Sequence, residues 1–406
     1  MTIGIICEYN PFHKGHLYHI QTAQALAAQT CAESPATHHA PIICVMSGHY
    51  VQRGEPAFID KWTRTRMALA GGASLVLELP TYYSSASAEW FSKGSISLLQ
   101  HTGLVDAISF GMETPEQLPQ LETLSRHLAP ESPQYQSLLR HHLAQAPSFA
   151  AAREAALQEL AGQPLDLQSP NTILVLEYLK AMQSYNWHPS LLPVQRASAG
   201  YHDLSTEALY PSASAIRREA AKGRSLSPYL PDCCAPYLPD SFMQPDDLFA
   251  SLAYALCFHT AKSLAGIDEI SEGLENRLLT AIQTSSNYND ILNELKTKRY
   301  PTARLRRILL NILLNITPAR KEELDFQSGP PYIRVLGFRR ESQDQLSQLT
   351  HSADLPVITN LPRQLDQLPP RAQAMLQDEI RFSQIYASAH PTLRRDCEYR
   401  TPMVVL

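Results

Sequence analysis

The residues best placed to do chemistry are His13 and His16, which frame Lys14 and Gly15 in an H-x-G-H pattern. An apolar run, Thr2-Ile3-Gly4-Ile5-Ile6-Cys7, reads as a β-strand, and Glu8-Tyr9-Asn10-Pro11-Phe12 breaks it just before the histidines. A helical pattern starts at the motif, so the motif falls on a strand-to-helix turn, where free backbone N–H groups can meet a phosphate. Gly15 permits close approach of the backbone. His16, in the first helical turn, reaches the same phosphates as the N–H groups, and His13 can face the bond that breaks. Two imidazoles there add hydrogen bonds to charge growing on phosphorus oxygens during nucleotidyl transfer. The bland alternative, two histidines that only cap a helix, is disfavoured by the position after the first strand of an alternating chain.

Other segments could complete such a site. Ser212 and Ser214 can cap a helix while offering hydroxyls to a phosphate, and Arg217 adds a positive fork. Ser47-Gly48-His49 and Gln52-Arg53-Gly54-Glu55-Pro56 follow the second strand, and beyond them Lys61, Arg64 and Arg66 could steer an anion or form a solvated helix face. Lys296, Lys298, Arg299, Arg304, Arg306 and Arg307 crowd into twelve residues with no acid among them, around Tyr300. Such a patch is either a solvated helix face or a surface for RNA, with phosphates on the cations and a base stacked on Tyr300, and the one-sided charge favours RNA.

The elements that must position these groups alternate. Strands are expected at 2–7, 42–46, 74–79, 107–110 and 190–195, with helices at 15–29, 60–71 and 86–101 between them. Short apolar strands separated by helices predict an α/β, Rossmann-like, doubly wound parallel sheet, whose ligands bind beyond the carboxyl ends of the strands. Residues 1–225 are expected to form this nucleotide-binding domain. A helical region with the basic segment follows at 226–325, and a small α/β unit closes the chain at 326–406. The 406 residues carry a net charge of −5, so any RNA surface must be local. Seven cysteines without a C-x-x-C indicate neither a disulfide framework nor a zinc site. With catalytic-type residues from position 7 onward, no signal peptide is expected, and no apolar run is long enough for a membrane span. A cytoplasmic protein without a dedicated metal cage is expected.

Taken together, Cys7-Glu8-Tyr9-Asn10-Pro11-Phe12-His13-x-Gly15-His16-Leu17-x-His19, Met46-Ser47-Gly48-His49, Gln52-Arg53-Gly54-Glu55-Pro56, Glu78-Leu79-Pro80, Ser109-Phe110-Gly111, Pro170-Asn171 and Gln195-Arg196 resemble the bacterial tRNA(Met) cytidine acetate ligases of the H-x-G-H nucleotidyltransferase superfamily. Tyr201-His202-Asp203 and Glu272-Gly273-Leu274-Glu275-Asn276-Arg277 also match. The resemblance implies that acetate attacks the α-phosphate of ATP to give acetyl-adenylate, and that the wobble cytidine of elongator tRNA(Met) then takes the acetyl group on N4. It implies ATP contacts from the stretch Ile6, Cys7, Glu8, Tyr9, Asn10, Pro11, Phe12, His13, Lys14, Gly15, His16, Leu17, Tyr18 and His19, and from Gly111, Asn171 and Arg196. Magnesium is expected to accompany ATP, and no obligate protein partner is implied. Ala213 stands where the superfamily's second signature usually has a serine. Two other readings remain open at this point: adenylylation of a small phosphorylated metabolite, which needs no basic segment, and RNA binding with a degenerate nucleotide site.

Overall fold

A computed structural model describes residues 1–30, 40–146, 148–196, 210–271, 273–297 and 300–406. Ten strands are present among them: β1 Ile3–Cys7, β2 Ile42–Ser47, β3 Tyr50–Val51, β4 Glu55–Pro56, β5 Leu75–Leu79, β6 Ala107–Met112, β7 Ser190–Gln195, β8 Ile333–Phe338, β9 Val357–Ile358 and β10 Val404–Val405. β3 and β4 form a small hairpin, and the other eight make one sheet in the order β10-β8-β5-β2-β1-β6-β7, with β9 also on β8. β2 and β5 are buried along their whole length, as strands covered on both faces must be.

β1 lies between β2 and β6, parallel to both. The chain winds outward from β1 through β2 to β5, then returns to the other side of β1 for β6 and β7. The order therefore reverses beside β1, and the carboxyl end of β1 opens into the crevice where such sheets take their ligands. That end is the H-x-G-H turn, followed by helix Lys14–Thr30.

The last eighty residues do not stand apart as the expected small unit. β8 pairs antiparallel with β5, with Arg334 opposite Glu78, and β9 and β10 pair with β8. The physical reason lies in β5, a fully buried strand whose far edge must be covered and whose Glu78 needs a cation. The apolar pattern of 332–337 suits a strand of either sheet and carries no sign of this pairing.

The helical region has its own apolar cluster, from Leu252 to Ile312. Two separate helices, Phe249–Cys257 and Ala261–Leu264, start it, because the Thr260 hydroxyl accepts the Ser263 N–H and begins the second piece. Among the described residues no helix is long and apolar enough to cross a membrane.

Candidate active site

The turn after β1 is built from beneath. Tyr9 adopts a left-handed φ of +46°, a conformation that persists only when its surroundings hold it. Here the Tyr9 ring is buried, with its hydroxyl 3.6 Å from Cys44 Sγ. Glu8 Oε1 accepts the Gln52 N–H and Asn10 Oδ1 accepts the Phe58 N–H, both at 2.7 Å. Arg64, fully buried on helix Lys61–Ala70, donates to the carbonyls of Glu8 (2.7 Å), Ser47 (2.9 Å), Ile59 (2.8 Å) and Gly48. One guanidinium thus ties the ends of β1 and β2 together. Cys7, Tyr9 and Phe12 belong to the core under the turn, which leaves the following residues to face a ligand.

His13 and His16 are stacked, ring centroids 3.7 Å apart. His13 Nδ1 accepts the Gly15 N–H at 3.1 Å, and His16 Nδ1 accepts the His13 N–H at 3.3 Å. An accepting Nδ1 carries a lone pair, so each neutral ring keeps its proton on Nε2. Ser109 Oγ donates to the Leu192 carbonyl at 3.0 Å, so its contact with His19 Nε2 at 2.9 Å makes that nitrogen a donor too. Burial, with Arg196 and Arg217 adding repulsion, lowers His13 to about 3. Burial and Arg196 lower His19 to about 4. His16 is held well below the ordinary value by burial and by the neighbouring His13 and His19. The motif therefore presents uncharged N–H donors.

The positive charge comes from two arginines. Ser212 caps helix Ala213–Ala221 by accepting the Ala215 N–H at 3.2 Å. Arg217 on that helix donates to the Asn10 carbonyl at 2.7 Å and lies 3.5 Å from Ser214 Oγ. The start of this helix lies beside that of helix Lys14–Thr30, where a Cβ on Gly15 would lie 3.5 Å from Tyr210 Cβ. On the other side, Arg196 Nε lies 3.6 Å from Glu113 Oε1, the oxygen that also accepts from Asn171 Nδ2. A side chain at Gly111 would press on Arg196 Cγ at 3.3 Å. Gly111, Asn171 and Arg196 thus form one patch at the ends of β6 and β7, with Glu113 as its hub.

The profile of the HIGH Nucleotidyl Transferase family matches residues 1–399. The chain belongs to this family. A curated protein named tRNA(Met) cytidine acetate ligase from Thermoanaerobacter sp. (strain X514) is 37% identical over 96% of this chain and 95% of its own length. One of the same name from Acetivibrio thermocellus is 31% identical over 100% of this chain and 99% of its own. Among solved structures, apo Thermotoga maritima TmcAL superposes with a TM-score of 0.91 at 29% identity, both chains covered in full. The same protein bound with alpha-thio ATP gives 0.89 at 28%, again over both whole chains.

Within this HIGH nucleotidyltransferase, several expected contacts fall elsewhere. Lys14 Nζ donates to the Pro228 carbonyl at 2.8 Å and is turned from the site. Tyr18 stacks on Tyr210 at 5.4 Å. Tyr300 is not a platform for a base: its ring is 5% exposed, its hydroxyl donates to the Ser271 carbonyl at 2.6 Å, and Arg304 covers its face. Arg307 and Arg304 pair with Glu269 at 3.0 and 3.9 Å, and Arg306 with Glu55 at 2.8 Å. Lys296 is exposed. Lys298, Arg299, Glu272, the segment 201–203 and the loop 31–39 lie outside the described residues.

Lys61 and Arg64 neither steer an anion nor form a solvated face. Both are wholly buried. Lys61 pairs with Glu78 at 2.5 Å and Glu398 at 2.6 Å, and Arg334 bridges the same two carboxylates at 3.0 and 2.5 Å. A charge run read along one helix could not reveal this, because the partners come from β5, β8 and the C-terminal segment. Motif reading named Arg64 and quoted Glu55 but gave neither its structural task. Glu55 lay inside a quoted motif, yet only its pairing with Arg306 and its 4.0 Å approach to Arg217 give it a task.

Proposed function

We propose that this chain is an ATP-dependent ligase that forms acetyl-adenylate and then N4-acetylcytidine at the wobble position of elongator tRNA(Met). The observation that carries the reading is the convergence of two helix starts, neutral histidines and two arginines at the switch point beside β1. In the first step an acetate oxygen attacks the α-phosphorus of ATP. The bond from that phosphorus to the bridging oxygen breaks and pyrophosphate leaves. Charge spreads over the phosphorus oxygens, where the Nε2–H groups of His13 and His16 donate and Arg217 and Arg196 supply fixed charge. In the second step the cytidine N4 attacks the acetyl carbonyl, loses a proton and displaces AMP.

Magnesium suits the oxygens of a triphosphate; among the described residues no group of three or more His, Cys, Asp or Glu side chains could hold a metal. Bound magnesium would offset phosphate charge, while the histidines and arginines orient the α-phosphate. The exposed Lys296, with Arg304 and Arg306 still partly exposed beside their carboxylates, supports a polyanionic second substrate. ATP and tRNA are cytoplasmic, so the reading places the enzyme there.

The test is incubation with labelled acetate, ATP and unmodified tRNA, followed by nucleoside mass spectrometry. Label in N4-acetylcytidine, with one AMP formed per acetyl group, is expected. Label confined to a small phosphorylated compound would sink the reading.

A further inference from the structure

Glu55 stands where the nucleotide site meets the basic helix. It lies on β4, and its Oε1 accepts from Arg306 Nη1 at 2.8 Å while Oε2 sits 4.0 Å from Arg217 Nη2. Arg217 in turn holds the Asn10 carbonyl inside the phosphate turn. The three side chains are 14%, 28% and 23% exposed, shielded enough for their charges to act on one another in salt.

The approach is built into the backbone. Gly54 has φ +73°, and a Cβ there would lie 2.4 Å from the Arg307 backbone nitrogen. Only glycine lets the β3–β4 hairpin come this close to helix Thr302–Leu314. On that helix Arg304 and Arg307 turn to Glu269, and Arg306 turns to Glu55.

We propose that Glu55 is a positioning residue shared by the two sites, balancing Arg306 of the basic helix against Arg217 of the phosphate turn. The proposal rests on the reading above for its ligands, RNA phosphate at Arg306 and ATP phosphate at Arg217. When an RNA phosphate draws Arg306 away, the Glu55 charge is left to Arg217 and the neighbouring Arg53, and Arg217 shifts toward it and holds nucleotide phosphate less tightly. Linkage makes the effect reciprocal: nucleotide phosphate on Arg217 leaves Glu55 to Arg306 and weakens RNA there. Such a device ties arrival of the second substrate to loosening of the first substrate's phosphates.

The experiment compares the wild-type chain with Arg306→Ala, Glu55→Gln and the double variant. The readout is KM for ATP in acetate-dependent pyrophosphate release without tRNA, with circular dichroism melts alongside. Arg306→Ala imitates withdrawal of Arg306. It should raise KM by about fivefold or more, the low end of coupling between sites, with a much smaller change in kcat. In the Glu55→Gln background the same substitution should leave KM unchanged, and Arg306→Lys should keep the wild-type value. A general packing defect would lower the melting temperature and act in both backgrounds. An unchanged KM in Arg306→Ala, or an equal rise in both backgrounds, overturns the proposal. If the wild-type chain released no pyrophosphate with acetate, the ligase reading would fail, and calorimetric ATP titration of the same four proteins would still decide the linkage.

Discussion

Gly15→Ala should separate activity from stability. The Gly15 N–H holds His13 Nδ1 at 3.1 Å, and a Cβ on residue 15 would lie 2.9 Å from His13 Cε1 and 3.1 Å from Nδ1. The His13 ring, stacked against His16 at 3.7 Å, must leave its present line. The lost hydrogen bond is worth about 0.5–1.5 kcal/mol. The larger consequence is a misdirected Nε2–H, and removing one donor of this kind costs about 10²–10³ in kcat. The fold should hardly notice, because alanine in a helix is better than glycine by up to ~1 kcal/mol, which offsets the lost bond. Acetate-dependent pyrophosphate release and a thermal melt, run on one preparation, make the comparison. A variant with kcat within about threefold of wild type, against the expected loss, would refute the claim that Gly15 sets the His13 ring.

Other substitutions probe the scaffold. Burial and the neighbouring Glu78 push the Glu379 carboxyl up to about 7 from an ordinary 4.5. The folded chain then keeps a proton that the unfolded chain gives up between those values, so this group's contribution to stability falls as pH rises from 4.5 to 7. Glu379→Gln should flatten that fall in urea titrations at several pH values; an unaltered slope assigns it to another group. Lys61→Ala leaves Glu78 and Glu398 to Arg334 alone and should cost about 3–5 kcal/mol in urea unfolding; a loss under about 1 kcal/mol would mean the pair contributes little. Tyr300→Phe should cost about 1 kcal/mol through its bond to Ser271 and leave KM for tRNA unchanged; a large rise in that KM would return the ring to the RNA surface.

What the sequence made legible was what local pattern determines. β1, β2, β5, β6 and β7 are found within two residues of their expected ends, because short apolar runs between helices have few other solutions. The H-x-G-H turn after β1 was readable because its residue types and spacing are local. What failed depends on partners distant in the chain. Lys61 and Arg64 look like surface cations on a helix, and nothing nearby announces Glu398 or the carbonyls of Ser47 and Gly48. Tyr300 reads as an aromatic amid cations, but a three-dimensional cluster absorbs its ring. β10, two residues long, is too short to leave a periodic signal. Gly15 was assigned to the phosphate, and the structure adds that its missing side chain makes room for His13.

The protonation state of the histidines has a consequence of its own. A pair of cationic imidazoles would tie phosphate activation to a titration near 6.5, the ordinary imidazole value. In the folded chain burial and neighbouring cations lower His13 to about 3 and His19 to about 4, and His16 moves the same way. The free enzyme is therefore already neutral at these rings throughout the physiological range, with Nε2–H donors in place. kcat/KM for ATP, which reports the free enzyme, should show no step between pH 6 and 8 from these histidines. Stability carries the opposite signature. The unfolded chain takes up protons below 6.5 that the folded chain refuses, so stability due to these groups is present above 6.5 and is lost as pH falls toward 4. His13→Gln should remove part of that acid loss without adding a step to kcat/KM. A wild-type profile with an inflection near 6.5 that disappears in His13→Gln would show that the motif works as a cation, and the charge assigned to Arg217 and Arg196 would then belong to His13.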